Sequence, residues 1–254
     1  MIVHSEKTIW ITGASSGIGA ETALQMAKQK VHILVTARSV DKLKALADKA
    51  KDLPGTITPA PCDVTDQKAI TELYAKMEDE HGPIDVVLLN AGTYFGDSGT
   101  DFSADSFKKT FDINVNGVAH CLEPALKSFL ERGKGHVAIV ASVAGFRGLP
   151  KSVSYGPTKA ALINLAEALY AELNPKGIKV QVINPGFIKT PLTDKNDFEM
   201  PMLMPVEDAA KALIKGLDSN AFEIFFPWPF VVLVKLIDML PNKLYLWLVS
   251  KLER

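Results

Sequence analysis

The chain predicts a three-layer α/β fold: one mostly parallel sheet of about seven strands, screened by helices on both faces. Three observations carry this. Short, nearly continuous apolar runs alternate with helix-length amphipathic segments along all 254 residues. The first run leads into a glycine-rich turn, Thr12-Gly-Ala-Ser-Ser-Gly-Ile-Gly19. Hydrophobic residues make up 47% of the chain, enough to cover a sheet on both sides.

The strand-like runs are Thr8–Ile11, Val31–Thr36, Thr56–Ala60, Ile84–Leu89, His136–Ala141, Lys179–Ile183 and Phe222–Phe226. Helices are predicted between them, near Gly17–Gln29, Asp41–Ala50, Asp66–Glu80, Ala104–Leu130, Tyr155–Leu173 and Pro205–Leu217. Gly82-Pro83 and Asn174-Pro175 read as helix stops, and Thr65-Asp66 as a start. Right-handed crossovers then favour a doubly wound, Rossmann-like strand order. No repeat and no low-complexity linker divides the chain. Residues 1–226 are expected to form one domain, and 227–254 an apolar appendage with short helices near Phe230–Leu240 and Asn242–Leu252.

Composition removes several function classes. A net charge of -1 and a pI near 6.5 give no reason for a nucleic-acid partner. Cys62 and Cys121 are far apart in sequence and the five histidines are scattered, so no metal site is expected. Reduced thiols fit a cytoplasmic protein. Residues Met1 to Lys7 have neither an apolar core nor a cleavage signature, so no signal peptide is expected. The apolar run Ile224–Val234 is interrupted by Pro227 and Pro229, and falls short of the roughly 20 residues that span a bilayer. The tail is expected to pack on the body or on a second subunit. The sharper alternative is a weak membrane-surface contact through Trp228, Phe230, Tyr245 and Trp247.

The glycine-rich turn follows a strand and opens a helix. Gly13, Gly17 and Gly19 suit a sharp turn and a close approach by a pyrophosphate, with Ser15, Ser16 and Ile18 between them. The helix start offers unpaired N–H groups and a partial positive charge to phosphate. The spacing is Gly-x-x-x-Gly-x-Gly, not the Gly-x-Gly-x-x-Gly of the usual fingerprint. At the end of the second strand an acid would bind the ribose 2′-hydroxyl of NAD, and an Arg the 2′-phosphate of NADP. Thr36-Ala37-Arg38-Ser39 contains no acid. Arg38 is either an ordinary surface charge or, with Ser15 and Ser16, a ligand for that phosphate. The phosphate reading is preferred, so NADP is expected over NAD.

Tyr155 and Lys159 lie four apart, on one helix face. Ser142 ends a strand, so all three side chains can converge at the carboxyl edge of the sheet, where open α/β folds bind ligands. A phenol titrates near 10, too high for efficient acid–base work at neutrality, and an adjacent ammonium is expected to lower it. Tyr155 would exchange a proton with a carbonyl or alcohol oxygen that Ser142 holds in place.

Taken in order, the strings Thr12-Gly-Ala-Ser-Ser-Gly-Ile-Gly19, Asp63-Val64, Asn90-Ala91-Gly92, Asn114, Ser142, Tyr155-x-x-x-Lys159 and Pro185-Gly186 resemble the short-chain dehydrogenase/reductase family, over essentially residues 7 to 226. The resemblance implies that Asn114 completes a catalytic tetrad by anchoring a water that links Lys159 to solvent. It implies that Asp63 and Val64 bracket the adenine and that Asn90 supports both cofactor and sheet. Lys159 would hold the nicotinamide ribose, and Ile188 and Thr190 would meet the carboxamide. It also implies a homo-oligomer, a dimer or tetramer, acting on a small-molecule carbonyl or alcohol. The lid and tail strings resemble a bacterial subgroup of the family.

The segment 187–204 would then fold over the substrate, with Met200, Met202 and Met204 lining a greasy lid or simply packing a short loop. Tyr94, Phe95, Phe146 and Leu149 are further candidates for an apolar wall, and Arg147 is the one cation suggesting a charged substrate. The resulting expectation is an NADP(H)-dependent interconversion of an apolar aldehyde or ketone with its alcohol. The alternatives are an NAD-linked alcohol dehydrogenase and a cofactor-binding sensor or scaffold without turnover.

Overall fold

Seven parallel strands, in the order β3-β2-β1-β4-β5-β6-β7, form the centre of the computed structural model, which describes residues 6–195 and 199–251. They are β1 (Thr8–Thr12), β2 (His32–Thr36), β3 (Thr56–Pro59), β4 (Val86–Leu89), β5 (Gly135–Val140), β6 (Ile178–Pro185) and β7 (Glu223–Phe226). The order reverses between β1 and β4, which opens a crevice at their carboxyl ends.

Alternate strand residues feed two separate cores. Ile9, Ile11, Ile33 and Val35 face a layer built by α1 (Gly17–Met26), α2 (Val40–Lys49) and α7 (Val206–Asp218). Trp10, Leu34, Val87 and Leu89 face the opposite layer. That layer comprises α3 (Gln67–His81), α5 (Gly117–Arg132) and α6 (Tyr155–Leu173). Burial on both faces explains why the strands read as apolar runs rather than alternating ones.

The predicted helix Ala104–Leu130 is a composite. It comprises α4 (Ala104–Phe111), one π-helical turn over Asp112–Asn116, and α5. Side-chain caps start two of the helices: Asp66 accepts from Ala69 N at 3.0 Å at the head of α3, and Ser103 from Ser106 N at 3.2 Å before α4. Gly133, left-handed at φ +62°, ends α5. The segment expected to form a lid is described except at 196–198, which lie outside the described residues. It is closed by a bridge between Ile188 and Met204. Met204 packs on the core, whereas Met202 and Leu203 are exposed.

Helices α8 (Trp228–Asp238) and α9 (Asn242–Val249) follow β7. The first begins two residues earlier than expected, and the predicted end at Leu252 lies outside the described residues. Both helices pack on the body. Phe230 and Val231 are buried with Val143, and Phe146, Phe187 and Phe225 close around them. Lys235 pairs with Glu223, which accepts from Asn184 Nδ2 at 2.8 Å. Arg147 donates to Asp238 O (2.8 Å), Leu240 O (2.9 Å) and Asn242 Oδ1 (2.6 Å), and lies 3.9 Å from the centroid of the Tyr245 ring. The Tyr245 hydroxyl donates to Gly148 O at 2.9 Å.

Two expectations are corrected here. Phe230 and Tyr245 are buried, so neither can take part in a membrane contact. Arg147 is committed to three acceptors on the tail and is not offered to a charged substrate. Among the described residues no helix is long and apolar enough to cross a membrane. Replacing Arg147 leaves two buried-side carbonyls without their donor and an aromatic ring without its cation. We therefore expect Arg147→Ala to lower stability by about 2 kcal/mol. Urea unfolding checks this, and an unchanged midpoint and slope would show that the tail does not depend on this contact.

Candidate active site

The crevice between β1 and β4 is floored by backbone that leaves no room for a Cβ. At Gly13, with φ +68°, a Cβ would sit 2.6 Å from Ala91 Cα. At Gly19 it would sit 2.5 Å from Asn90 Nδ2. Asn90 locks the loop in place by donating from Nδ2 to Thr12 O (3.0 Å) and Gly13 O (3.2 Å). Thr12 Oγ1 in return accepts from the Asn90 and Ala91 N–H groups, each at 3.1 Å. Gly17, at φ +59°, faces the Thr190 methyl, to which a Cβ would approach within 3.3 Å. Ile18 leans on the α1–α7 core, and Ala14 N donates to Thr36 O at 3.2 Å, tying the turn to the end of β2. Ser15 is half-buried; Ser16 is exposed and makes no side-chain cap bond to the helix it precedes. Its hydroxyl and the first N–H groups of α1 therefore face the crevice mouth without a helical partner.

Arg38 extends from the end of β2 with its side chain 74% exposed. Asp63 Oδ2 is 3.9 Å away, and Asp63 Oδ1 accepts from Thr65 N (3.0 Å) and Thr65 Oγ1 (2.9 Å). So long and exposed an ion pair contributes little and does not tie up the guanidinium. Val64 is buried against Gly117, where a Cβ would lie 2.7 Å from its Cγ2, and its carbonyl is 2.8 Å from His120 Nδ1.

Ser142, Tyr155 and Lys159 come together where β5 meets α6. Ser142 caps a single 3-10 turn, Val143–Gly145, by accepting from Ala144 N at 3.2 Å. That turn lies flat on α6: a Cβ on Gly145 would fall 2.6 Å from the Lys159 carbonyl carbon. The close approach brings the Ser142 hydroxyl near enough to the Tyr155 phenol to favour its ionised form. Lys159 is buried and donates to Val140 O at 2.9 Å, with its ammonium 5.4 Å from the centroid of the Tyr155 ring. A Cβ on Gly92 would be 3.6 Å from that ammonium, so this glycine keeps the space beside it clear.

The pKa values differ from the sequence-based expectation. Burial pushes the Tyr155 phenol up to about 12, with the Ser142 hydroxyl pulling the other way and Tyr94 adding to the rise. Burial lowers Lys159 to about 8. Burial sets the direction at both groups, because each charged form loses solvation in the same enclosed space.

Asn114 is fully buried within the π-helical turn. Its Oδ1 accepts from Thr93 N (2.7 Å), and its Nδ2 donates to Thr93 O and Thr158 Oγ1, both at 3.0 Å. Thr158 Oγ1 then donates to Tyr155 O at 2.7 Å. Asn114 therefore stitches the segment after β4 to α6. A π-turn is the kind of helix defect found at functional sites, because it re-aims side chains that a regular helix would space differently. Thr158 was not singled out from sequence, although its position inside Tyr-x-x-x-Lys was the available signal. Tyr94, expected only as wall, meets the Tyr155 ring edge-on with centroids 5.5 Å apart, and its hydroxyl donates to Lys151 O at 2.9 Å.

Of the remaining candidates, Pro185 ends β6 and its carbonyl lies 3.5 Å from Ser142 Oγ. Gly186 faces Phe230, to which a Cβ would come within 2.7 Å. Ile188 is 2% exposed in the core, so its side chain is not offered to a ligand. Phe95 is exposed.

A cradle that excludes Cβ atoms, an uncapped helix start and a phenol–hydroxyl–ammonium group one crevice away fit a nicotinamide dinucleotide, and define an oxidoreductase of the Rossmann class. Residues 7–200 match the short chain dehydrogenase family, and the chain belongs to it. An uncharacterized oxidoreductase of Myxococcus xanthus is 36% identical over 245 residues, covering 96% of this chain and 97% of that protein. Among solved structures, ElxO with NADP bound is 30% identical, with a TM-score of 0.78 over 87% of this chain and 98% of its own. A short-chain type dehydrogenase/reductase from Mycobacterium marinum is 28% identical, with a TM-score of 0.80 over 88% and 95%.

Proposed function

We propose that this oxidoreductase interconverts an apolar aldehyde or ketone with its alcohol, using NADP(H) in preference to NAD(H) and Tyr155 as general acid and base. The observation that carries the reading is the convergence of the Ser142 hydroxyl, the Tyr155 phenol and a buried Lys159 whose ammonium lies 5.4 Å from the centroid of the phenol ring. When bound, the coenzyme supplies or accepts hydride at the substrate carbon. Everything else falls to the chain's own groups. With a pKa near 12, Tyr155 is protonated at neutral pH and stands ready to give its proton to a carbonyl oxygen. Ser142 donates to the same oxygen and holds it as negative charge develops. Lys159 would hold a ribose hydroxyl of the coenzyme and favour the phenolate once the proton has left.

Arg38 supports NADP, as an exposed guanidinium at the one position where an acid would select NAD. The NADP bound to ElxO is consistent with this choice. With Arg147 held by the tail, its charge is not offered to a substrate, which supports an apolar one. Family resemblance supports a homo-oligomeric, cytoplasmic enzyme.

Tyr155→Phe is expected to reduce carbonyl turnover by at least about 1,000-fold while coenzyme affinity, followed by fluorescence quenching, changes by less than about threefold. Retained turnover would remove Tyr155 from its role. Arg38→Asp is expected to lower kcat/KM with NADPH by about 100-fold relative to NADH, and an unchanged ratio would overturn the coenzyme preference.

A further inference from the structure

Helix α8 is apolar apart from Lys235 and Asp238, but only one side is covered. Phe230 and Val231 point into the body, and both of its charges are turned inward, Lys235 to Glu223 and Asp238 to Arg147. The opposite side carries Trp228, Val232, Leu236 and Met239, spaced i, i+4, i+8 and i+11, all exposed. Trp228 is 68% and Met239 81% exposed. Scattered exposed apolar residues are ordinary, whereas an aligned stripe that includes a tryptophan marks a contact surface.

Helix α9 identifies what the contact is made with. Leu246 and Trp247 are exposed on its outer side, and Lys243, Trp247 and Lys251 run along it at i, i+4 and i+8. The Lys251 ammonium lies 5.7 Å from the centroid of the Trp247 ring. Asp238 is the only acid between residues 227 and 251, and Arg147 neutralises it. Among the described residues the outer face is therefore apolar, with the cations Lys243 and Lys251 at its edge. A contact between copies through this face would place Lys243 and Lys251 at the interface with no acid between residues 227 and 251 free to pair with them, and lysine is depleted from protein interfaces. An anionic bilayer surface satisfies both features, since tryptophan and aliphatic side chains enter the acyl boundary while ammonium groups meet headgroups.

We propose that the outer face of α8 and α9 seats the protein on the surface of an anionic phospholipid bilayer, without crossing it. Because Arg147 joins the segment after Ser142 to this tail, the seat lies on the same structural unit as the candidate active site. The proposal stands apart from the redox reading and needs no turnover to test.

Full-length protein is sedimented with vesicles of phosphatidylcholine and phosphatidylglycerol in equal parts, and with phosphatidylcholine alone. Pelleting with the anionic vesicles is expected, weakened about tenfold in phosphatidylcholine or in Lys243→Glu/Lys251→Glu, and about tenfold in Trp228→Ser/Trp247→Ser. These side chains are exposed, so unchanged melting temperatures confirm that the variants fold. Wild-type protein that stays in the supernatant with anionic vesicles overturns the proposal. So does a tryptophan variant that binds vesicles like wild type but sediments as a smaller species, which would make the face an interface between copies.

Discussion

The contact between the turn at Val143–Gly145 and the first turns of α6 is the constraint on which the candidate site depends. Gly145 lies so close to the Lys159 backbone that no side chain fits between them. This closeness brings a hydroxyl from the end of β5 to a phenol at the start of α6. A parallel sheet makes the meeting natural, since every strand delivers its last residue to the same edge at which the next helix begins. The remaining parts hold this junction from three directions. Asn114 and Thr158 pin the segment after β4 to α6, Val140 O fixes Lys159, and the tail grips the chain just beyond Ser142.

Burial is what makes that junction chemically distinctive. The same enclosure raises the phenol and lowers the ammonium, so at neutral pH the coenzyme-free site holds its proton on Tyr155. A proton donor is what carbonyl reduction requires first. Alcohol oxidation requires the phenolate, and the cationic oxidised nicotinamide ring would supply part of the stabilisation that the buried Lys159 does not. Each unit of lowering takes about 1.4 kcal/mol of differential interaction.

Much of the fold was legible because burial on both faces of a parallel sheet leaves a plain record: apolar runs such as Ile9–Ile11 and Val86–Leu89, spaced by amphipathic helices. The glycine-rich turn was legible for a similar reason, since Gly13 and Gly19 stand where a Cβ has no room. The π-turn at Asp112–Asn116 was not, because five residues of altered hydrogen bonding leave the apolar spacing of the flanking helices nearly intact. The direction of the Tyr155 shift was misjudged. Spacing places an ammonium one turn away but does not weigh its field against desolvation. Arg147 was misread as a substrate contact because its acceptors, Asp238 O and Leu240 O, are over ninety residues distant in sequence.

Ultraviolet difference titration of tyrosinate, comparing wild type with Tyr155→Phe, tests the state of the phenol directly. The expected result is a component near pH 12 in the coenzyme-free protein, absent from the variant, that moves down when NADP is added. A Tyr155 phenol that already ionises below its ordinary value near 10 without coenzyme would contradict the dominance of burial.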